Sequence, residues 1–306
     1  MDKIERSKKV AQLPVEFPSC STLLSGVIFK RVDIEGRLPA IVMAPGMGGV
    51  KEGSLFRYAE SFASAGFLVL AYDHINFGTS GGKPRQEADP QLQRRGYRDA
   101  ITFVGLNPDV DRERIGIWGS SYSGGHVLEV GAHDRRVRCV VSQLGMISGL
   151  QPLLRRMPSL QRKNVLPQLR SDRDARFQGH QPAMIKAVSD DINEPCVMPG
   201  LGAFEFLHGQ QSDQSTWRNT LTLRSLDLAF GLENSAFVPY ISPTPLLMIV
   251  ALQDELVPPD LSLAAYASAL EPKKLVLLDG DHFSPYVQYF DASSSAAIEW
   301  FAQHLM

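Results

Sequence analysis

The stretch Arg114-Ile-Gly-Ile-Trp-Gly-Ser-Ser-Tyr-Ser-Gly-Gly-His126 decides the fold. It reads as an apolar strand that runs into a turn of small residues and then into a helix, with Ser121 at the apex. Small neighbours are needed there, because the backbone at the serine is strained and its hydroxyl must stand clear above the sheet. The pattern is Gly-x-Ser-x-Ser-Gly, since Ser123 stands where a strict Gly-x-Ser-x-Gly has its second glycine.

Outward from this turn, short runs rich in β-branched residues alternate with longer stretches of helical spacing from about residue 39 onward. That rhythm predicts βαβ units. Strands are expected at 40–44, 67–72, 114–118, 137–142, 246–252 and 274–278, and helices near 52–65, 91–105, 123–132, 259–269 and 292–305. Most of the strands are continuous apolar runs, as parallel strands covered on both faces are. Cys20 to Arg31 reads as an antiparallel entry strand or hairpin. The interval from Met146 to Ser242 is far too long for a simple connection between two core strands. It has helix-like patches, several prolines and no strand rhythm. The predicted organisation is an α/β core, residues 1–145 and 243–306, built on a mostly parallel, doubly wound sheet. Residues 146–242 form an inserted helical cap over the carboxyl ends of the strands, where α/β sites lie.

Composition bounds the partners. Of 306 residues, 44% are apolar and 21% charged, the profile of a soluble globular chain that can bury a large core. A net charge of -2 supplies no chain-wide attraction for nucleic acid or an anionic membrane, so neither is expected as a partner. The first residues, MDKIERSKKVAQLP, are charged where a signal peptide is apolar, and no apolar run is long enough to span a bilayer. A cytoplasmic protein is expected. Cys20, Cys139 and Cys196 are too few and too scattered for a disulfide framework or a metal knuckle, and Cys139 reads as a packed small hydrophobe.

The turn around Ser121 closely resembles that of the α/β-hydrolase superfamily. The form Gly119-x-Ser121-Tyr122-x-Gly124 is similar to the variant of its Xaa-Pro dipeptidyl-peptidase and cocaine-esterase branch. A further resemblance, to the dienelactone-hydrolase-like proteins that include fungal polyketide transferases, rests on four groups of residues. They are Pro45-Gly46 with Val50-Lys51-Glu52, Tyr72-Asp73 with Gly78-x-Ser80, Pro84-Arg85, and Trp118-Gly119-x-Ser121. The resemblance covers about 39–145 and 243–306 and implies the α/β-hydrolase fold; it does not extend to the cap.

A serine hydroxyl is a poor nucleophile at neutral pH and needs a general base held in place by a third group. In the superfamily the acid follows the penultimate strand and the histidine follows the last. Asp254 and His282 occupy those places here. Asp279, Asp281 and Glu255 are rival acids at less typical positions. The oxyanion donors implied are the backbone N–H of Tyr122, directly after the nucleophile, and that of Met47 in the Pro45-Gly-Met-Gly-Gly49 turn. That turn fits neither Gly-x-Gly-x-x-Gly nor a phosphate-binding P-loop, and His74, His126, His133 and His282 lack zinc-site spacing, so no cofactor and no metal are expected. Asp73 and His74, which close a core strand, read as braces of the site, with substrate contact by His74 as the sharper alternative. His126 reads as a packing residue.

In the cap, residues 151–180 carry seven basic side chains (Arg155, Arg156, Arg162, Lys163, Arg170, Arg173, Arg176) against Asp172 and Asp174. A solvated helical surface is the plainer reading, and attraction for an anionic thioester the sharper one. Together these readings describe a serine hydrolase that cleaves a small-molecule carboxylic ester or thioester through an acyl-enzyme on Ser121. An acyltransferase with the same three residues is the alternative. Peptide or amide hydrolysis follows, and a non-catalytic ligand receptor would not need the intact set. A homodimer is an open arrangement.

Overall fold

The computed structural model describes residues 9–156, 159–191, 193–210 and 215–306. Its strands in chain order are β1 (Val10–Ser19), β2 (Thr22–Arg31), β3 (Leu38–Ala44), β4 (Leu68–Tyr72), β5 (Val110–Ser120), β6 (Val137–Gln143), β7 (Met184–Ile185), β8 (Leu221–Thr222), β9 (Leu246–Ala251) and β10 (Lys273–Leu278). Among the described residues they form an eight-stranded sheet in the order β1-β2-β4-β3-β5-β6-β9-β10, with β7 and β8 as a separate ribbon. β2 pairs antiparallel with β1 and β4, and the remaining neighbours in the large sheet are parallel. The protein is therefore α/β, with the hydrolase-type sheet that the turn at Ser121 implies.

The entry hairpin is tight because Cys20 and Ser21 both take the left-handed conformation, φ 48° and 64°. Two such residues match the right-handed twist of the flanking strands. β1 lies outside the predicted elements, since its edge position leaves much of it exposed and removes the apolar signal. β5 likewise begins four residues before the apolar run, on Val110-Asp-Arg-Glu113.

Nine α-helices are described: α1 (Ser54–Ser64), α2 (Pro90–Gly105), α3 (Tyr122–His133), α4 (Leu150–Arg156), α5 (Ser159–Phe177), α6 (Leu201–Gly209), α7 (Arg224–Ala229), α8 (Pro259–Ser268) and α9 (Phe290–Leu305). Alternation along β5 sends Ile115 and Ile117 to one face of the sheet, against Tyr97 and Ile101 of α2 and Val127 of α3. Trp118 goes to the other face, with Tyr58 and Phe62 of α1 and Phe301 of α9. α9 approaches β5 closely because Gly116 has no side chain: an added Cβ would stand 2.7 Å from the Phe301 ring. α2 starts where Asp89 accepts bonds from the N–H groups of Gln91 and Leu92, with Pro90 in the first turn, a strong N-terminal signal.

Between β6 and β9 the chain carries α4 to α7 and the β7–β8 ribbon, strands that the sequence pattern does not announce. A third apolar cluster joins this region to the loops of the sheet. Leu169, Val188, Trp217, Leu221 and Leu226 pack with Met47, Phe77 and Tyr122. Polar ties add to it: Ala88 N–H donates to Ser225 Oγ at 2.9 Å, and Arg224 pairs with the buried Glu87 at 3.0 Å. Before β9, Val238 and Ile241 in the 3₁₀ turn Asn234–Tyr240 and just after it belong to the same cluster as α2 and α3. No helix among the described residues is long and apolar enough to cross a membrane.

Candidate active site

Ser121 sits at φ 58°, ψ -120°, between the end of β5 and the first turn of α3. A non-glycine residue rarely adopts this backbone, and the surroundings enforce it. Its N–H donates to Gln143 O at 2.9 Å, and its carbonyl accepts from Met146 N–H at 2.9 Å and Gly125 N–H at 3.2 Å. Gly119 has to be glycine, because a Cβ there would lie 2.2 Å from Ser123 O. At Gly46 a Cβ would stand 3.1 Å from the Ser121 Cβ, so the loop after β3 reaches the serine only without one.

Asp254 follows β9 and His282 follows β10, and the parallel pairing of these strands brings their loops together. His282 Nε2 lies 3.0 Å from Ser121 Oγ, and its Nδ1 lies 2.6 Å from Asp254 Oδ2. Asp254 is anchored through its other oxygen, Oδ1, which accepts from Leu256 N–H at 2.8 Å and Val257 N–H at 2.7 Å. A carboxylate held this way fixes the imidazole with Nδ1 as donor and Nε2 as acceptor toward the serine. The rival acids are engaged elsewhere: Asp279 takes Gln253 Nε2, and Asp281 caps the turn at Phe283 and Ser284. Glu255 is exposed.

Tyr122 is the first residue of α3, where N–H groups lack intrahelical partners and the helix dipole favours negative charge. Met47 lies in the loop that lines the same pocket. A brace sets that loop. Ser123 Oγ donates to Pro45 O at 2.5 Å and accepts from His74 Nε2 at 2.8 Å, since its own hydrogen is committed to the carbonyl. Burial holds His74 neutral, with its pKa pushed down to about 3. The serine in place of the second glycine thus ties the elbow to the loop after β3. His74 acts through Ser123 and does not line the pocket at Ser121. Asp73, fully buried, accepts from Lys51 N–H at 2.7 Å, Lys51 Nζ at 2.5 Å and Thr79 N–H at 3.0 Å, which stitches the loop after β3 to that after β4. His126 Nε2 meets Gln93 Oε1 at 2.8 Å inside the packed layer between α2 and α3.

The pocket above Ser121 spans about 800 Å³ when the open space at its mouth is counted. Its walls are mainly apolar. Met47, Val50 and Leu55 come from the sheet side, and Met198, Phe206 and Trp217 come from the region between β6 and β9. The carboxylate of Glu52 also lines it, bonded to Thr216 Oγ1 at 3.0 Å. Sequence reasoning named Ser121, Asp254 and His282, which the structure brings within hydrogen-bond reach of one another, but none of these wall residues, because nothing in a single sequence marks which apolar residue faces a pocket. In the basic segment, Arg155, Arg173 and Arg176 pair with Asp260, Asp227 and Asp172. Arg156, Arg162 and Lys163 lie outside the described side chains. No group of three or more His, Cys, Asp or Glu side chains among the described residues converges as a metal site would.

A profile of the X-Pro dipeptidyl-peptidase (S15) family matches residues 32–284, most of the chain. The chain belongs to that family. Within reach of this S15 member is a thiohydrolase of Eupenicillium brefeldianum, 30% identical over 272 residues, which cover 87% of this chain and 85% of the relative. Polyketide transferase grgF of a Penicillium species is 29% identical over 251 residues, 80% of each chain. The crystal structure of GrgF aligns with a TM-score of 0.83 at 25% identity over 96% of this chain and 99% of that one. Hypothetical protein PA2218 of Pseudomonas aeruginosa aligns with a TM-score of 0.84 at 28% identity over 98% of this chain and 95% of that one. The S15 member described here is an enzyme of the α/β-hydrolase type, in the class of serine hydrolases and acyltransferases.

Proposed function

We propose that this enzyme hydrolyses a carboxylic ester or thioester with an apolar acyl group, through an acyl-enzyme on Ser121. The observation that carries this reading is the relay Ser121 Oγ, His282 Nε2, His282 Nδ1, Asp254 Oδ2, with gaps of 3.0 and 2.6 Å, opening into an apolar pocket. As Oγ attacks the carbonyl, His282 Nε2 takes its proton, and the charge developing on the carbonyl oxygen is received by the N–H groups of Tyr122 and Met47. The imidazolium then protonates the departing thiol or alcohol as the bond to it breaks. Water, deprotonated by the same nitrogen, attacks the acyl-enzyme; collapse releases the acid and returns the proton to Ser121. Asp254 holds the imidazole in register and stabilises its charged form. The thiohydrolase relative supports a thioester as the bond cleaved. The setting we assign to it is the cytoplasm, in line with three scattered cysteines and no disulfide framework in the sequence.

Acyl transfer is the second reading, favoured by the transferase relative and by an adjoining open groove that shares Ser54, Phe206, Gln210 and Tyr286 with the pocket. The discharge of the acyl-enzyme separates the two. Protein acylated from an activated ester should release free acid in buffer at the steady-state rate, with alcohols and amines adding little. An acyl-enzyme stable for many minutes in water, and discharged quickly by one alcohol or amine, would replace hydrolysis with transfer. Absence of any fluorophosphonate adduct at Ser121 in folded protein would count against both.

A further inference from the structure

The peptide group between Ser121 and Tyr122 faces two ways. Its N–H is the oxyanion donor proposed above, and its C=O accepts from Met146 N–H at 2.9 Å and Gly125 N–H at 3.2 Å. A peptide group is planar, so whatever holds that carbonyl also aims that N–H. Gly125 belongs to the first turns of α3 itself. Met146 does not: it stands just beyond β6, where the long connection to β9 begins, and its place has to be set by something else.

Asn234 sets it. This residue lies near the far end of the same connection, at the head of the 3₁₀ turn, and is fully buried. Its Nδ2 donates to Met146 O at 2.7 Å, and its backbone N–H donates to Ile147 O at 2.7 Å. Met146 is thereby gripped on both sides, its N–H by Ser121 and its C=O by Asn234. The Asn234 amide has only one workable orientation, because Met146 O can only accept and the guanidinium on its other side can only donate: Arg94 Nη2 gives a hydrogen to Asn234 Oδ1 at 2.8 Å. Arg94, on α2 and buried, is in turn fixed by an ion pair with Glu129 of α3. The approach is close enough to demand glycine at 125, since a Cβ there would lie 2.4 Å from both Asn234 Nδ2 and Met146 O. Gly149 N–H, donating to Leu232 O at 2.9 Å, adds a further rung between the same two segments.

We propose that Asn234, locked by Arg94, is a positioning residue for the oxyanion donor: through Met146 it sets the plane of the Ser121–Tyr122 peptide and so the direction of the Tyr122 N–H. This rests on the serine-hydrolase reading above and adds to it two residues that do not line the pocket. Their effect belongs to the transition state. A donor turned away from the developing oxyanion weakens with the angle, while the walls that bind the ground state stay where they are. Hydrogen bonds accepted by the carbonyl also polarise the peptide and strengthen its N–H as a donor.

The test uses Asn234→Asp, which keeps the acceptor for Arg94 and removes the donor to Met146 O. Active sites are counted by fluorophosphonate labelling run to completion, so that loss of folded protein is separated from loss of function per site. For p-nitrophenyl octanoate, kcat per labelled site should fall about tenfold to thirtyfold, a fraction of the cost of losing an oxyanion donor outright, with KM nearly unchanged. A heptyl trifluoromethyl ketone reads the same donor without turnover: Ser121 Oγ adds to its carbonyl, His282 takes the proton, and the tetrahedral oxyanion stays bound. Its affinity should weaken by about the same factor as kcat/KM. A merely structural role would lower the labelled fraction and leave kcat per site and ketone affinity unmoved, and that result would overturn the proposal. If Asn234→Asp does not fold, Arg94→Lys decides. It keeps a cation for Glu129 but loses the fork that reaches Asn234, and it should lower kcat per site and ketone affinity together by about threefold to fivefold; no change in either would again overturn the proposal. Wild-type protein that turns over no ester and takes no label would retire the hydrolase reading and this inference with it. Wild type that does both, beside variants unmoved per site, would retire the positioning role alone.

Discussion

The two walls of the site are made in different ways. On the sheet side, Ser121, Asp254 and His282 each follow a parallel strand, and the partners that position them are largely backbone groups: Gln143 O, Met146 N, Leu256 N and Val257 N. On the opposite side, Phe206 comes from α6 and Met198 and Trp217 from loops between β6 and β9; Met198 and Trp217 pack in a separate apolar cluster, and Phe206 packs on Phe283 and Tyr286. Backbone-held chemistry tolerates no shift in the chain itself, which is why Gly46 and Gly119 carry no side chain there. A side-chain-built wall can be re-cut by single substitutions. Mutations on the first side should therefore abolish turnover for every substrate, while those on the second should change which substrate is turned over.

The sharpest break is Ser121→Ala, expected to cost four to six orders of magnitude in kcat, roughly what loss of a serine nucleophile costs when binding and oxyanion donors remain. Near-normal turnover would transfer the role to Ser120 or Ser123. Asp254→Asn should lose about ten-thousand-fold, because the amide no longer enforces the tautomer that faces Ser121. A mild effect there with a large one for Asp281→Asn would move the acid to the other loop. Next in size is Ser123→Gly, which restores the strict elbow pattern yet removes the tie to Pro45 and His74. We expect kcat to fall about tenfold to a hundredfold as the loop after β3, proposed to carry an oxyanion donor, loosens, in line with the cost of small misplacements. Unchanged kcat would mean that the loop is held well enough by Asp73 and Lys51. On the opposite wall, Trp217→Ala should lower kcat/KM for octanoyl more than for acetyl esters, by about tenfold in the ratio, as a large buried contact is lost. Equal losses for both chains would place Trp217 outside the acyl path.

The smallest effect is on stability. His74 is neutral in the folded protein, its pKa held near about 3 by burial, and a histidine in the unfolded chain titrates near 6.5. The unfolded state therefore binds the extra proton first. This contribution is complete above pH 6.5 and is lost as pH falls from there toward 3, at up to about 1.4 kcal/mol per pH unit. His126, lowered well below its ordinary value by burial, with Arg94 and His74 adding to it, acts in the same direction. Urea unfolding of His74→Gln should show a shallower loss of stability between pH 5.5 and 4 than the wild type. Parallel slopes would show that another group governs the acid limb.

Much of this site was legible in advance. Arg114 to His126 contains its own strand, turn and helix signals, all within reach of local sequence, and the six predicted core strands return within a few residues of their expected bounds. Ser123 was visible as a departure from the strict pattern, but its use was not, since Pro45 and His74 are far from it along the chain. Tyr286 carried no signal beyond standing shortly after His282. β1 and the β7–β8 ribbon escaped because edge position or short length removes the apolar periodicity that marks a buried strand.

By itself, then, the sequence determined the alternation of strands and helices, the identity of the apex serine, and the loops on which an acid and a histidine would have to stand. These depend on residue spacing within single elements. Only the tertiary structure decided that Asp254, and not Asp279, Asp281 or Glu255, reaches His282, that Ser123 and His74 brace the loop at Pro45, and which side chains from residues 146–242 wall the pocket. The physical reason is strand order. β6 and β9 lie side by side although residues 144–245 separate them in sequence, and contacts across such a junction follow from packing and hydrogen-bond satisfaction, which no local pattern encodes.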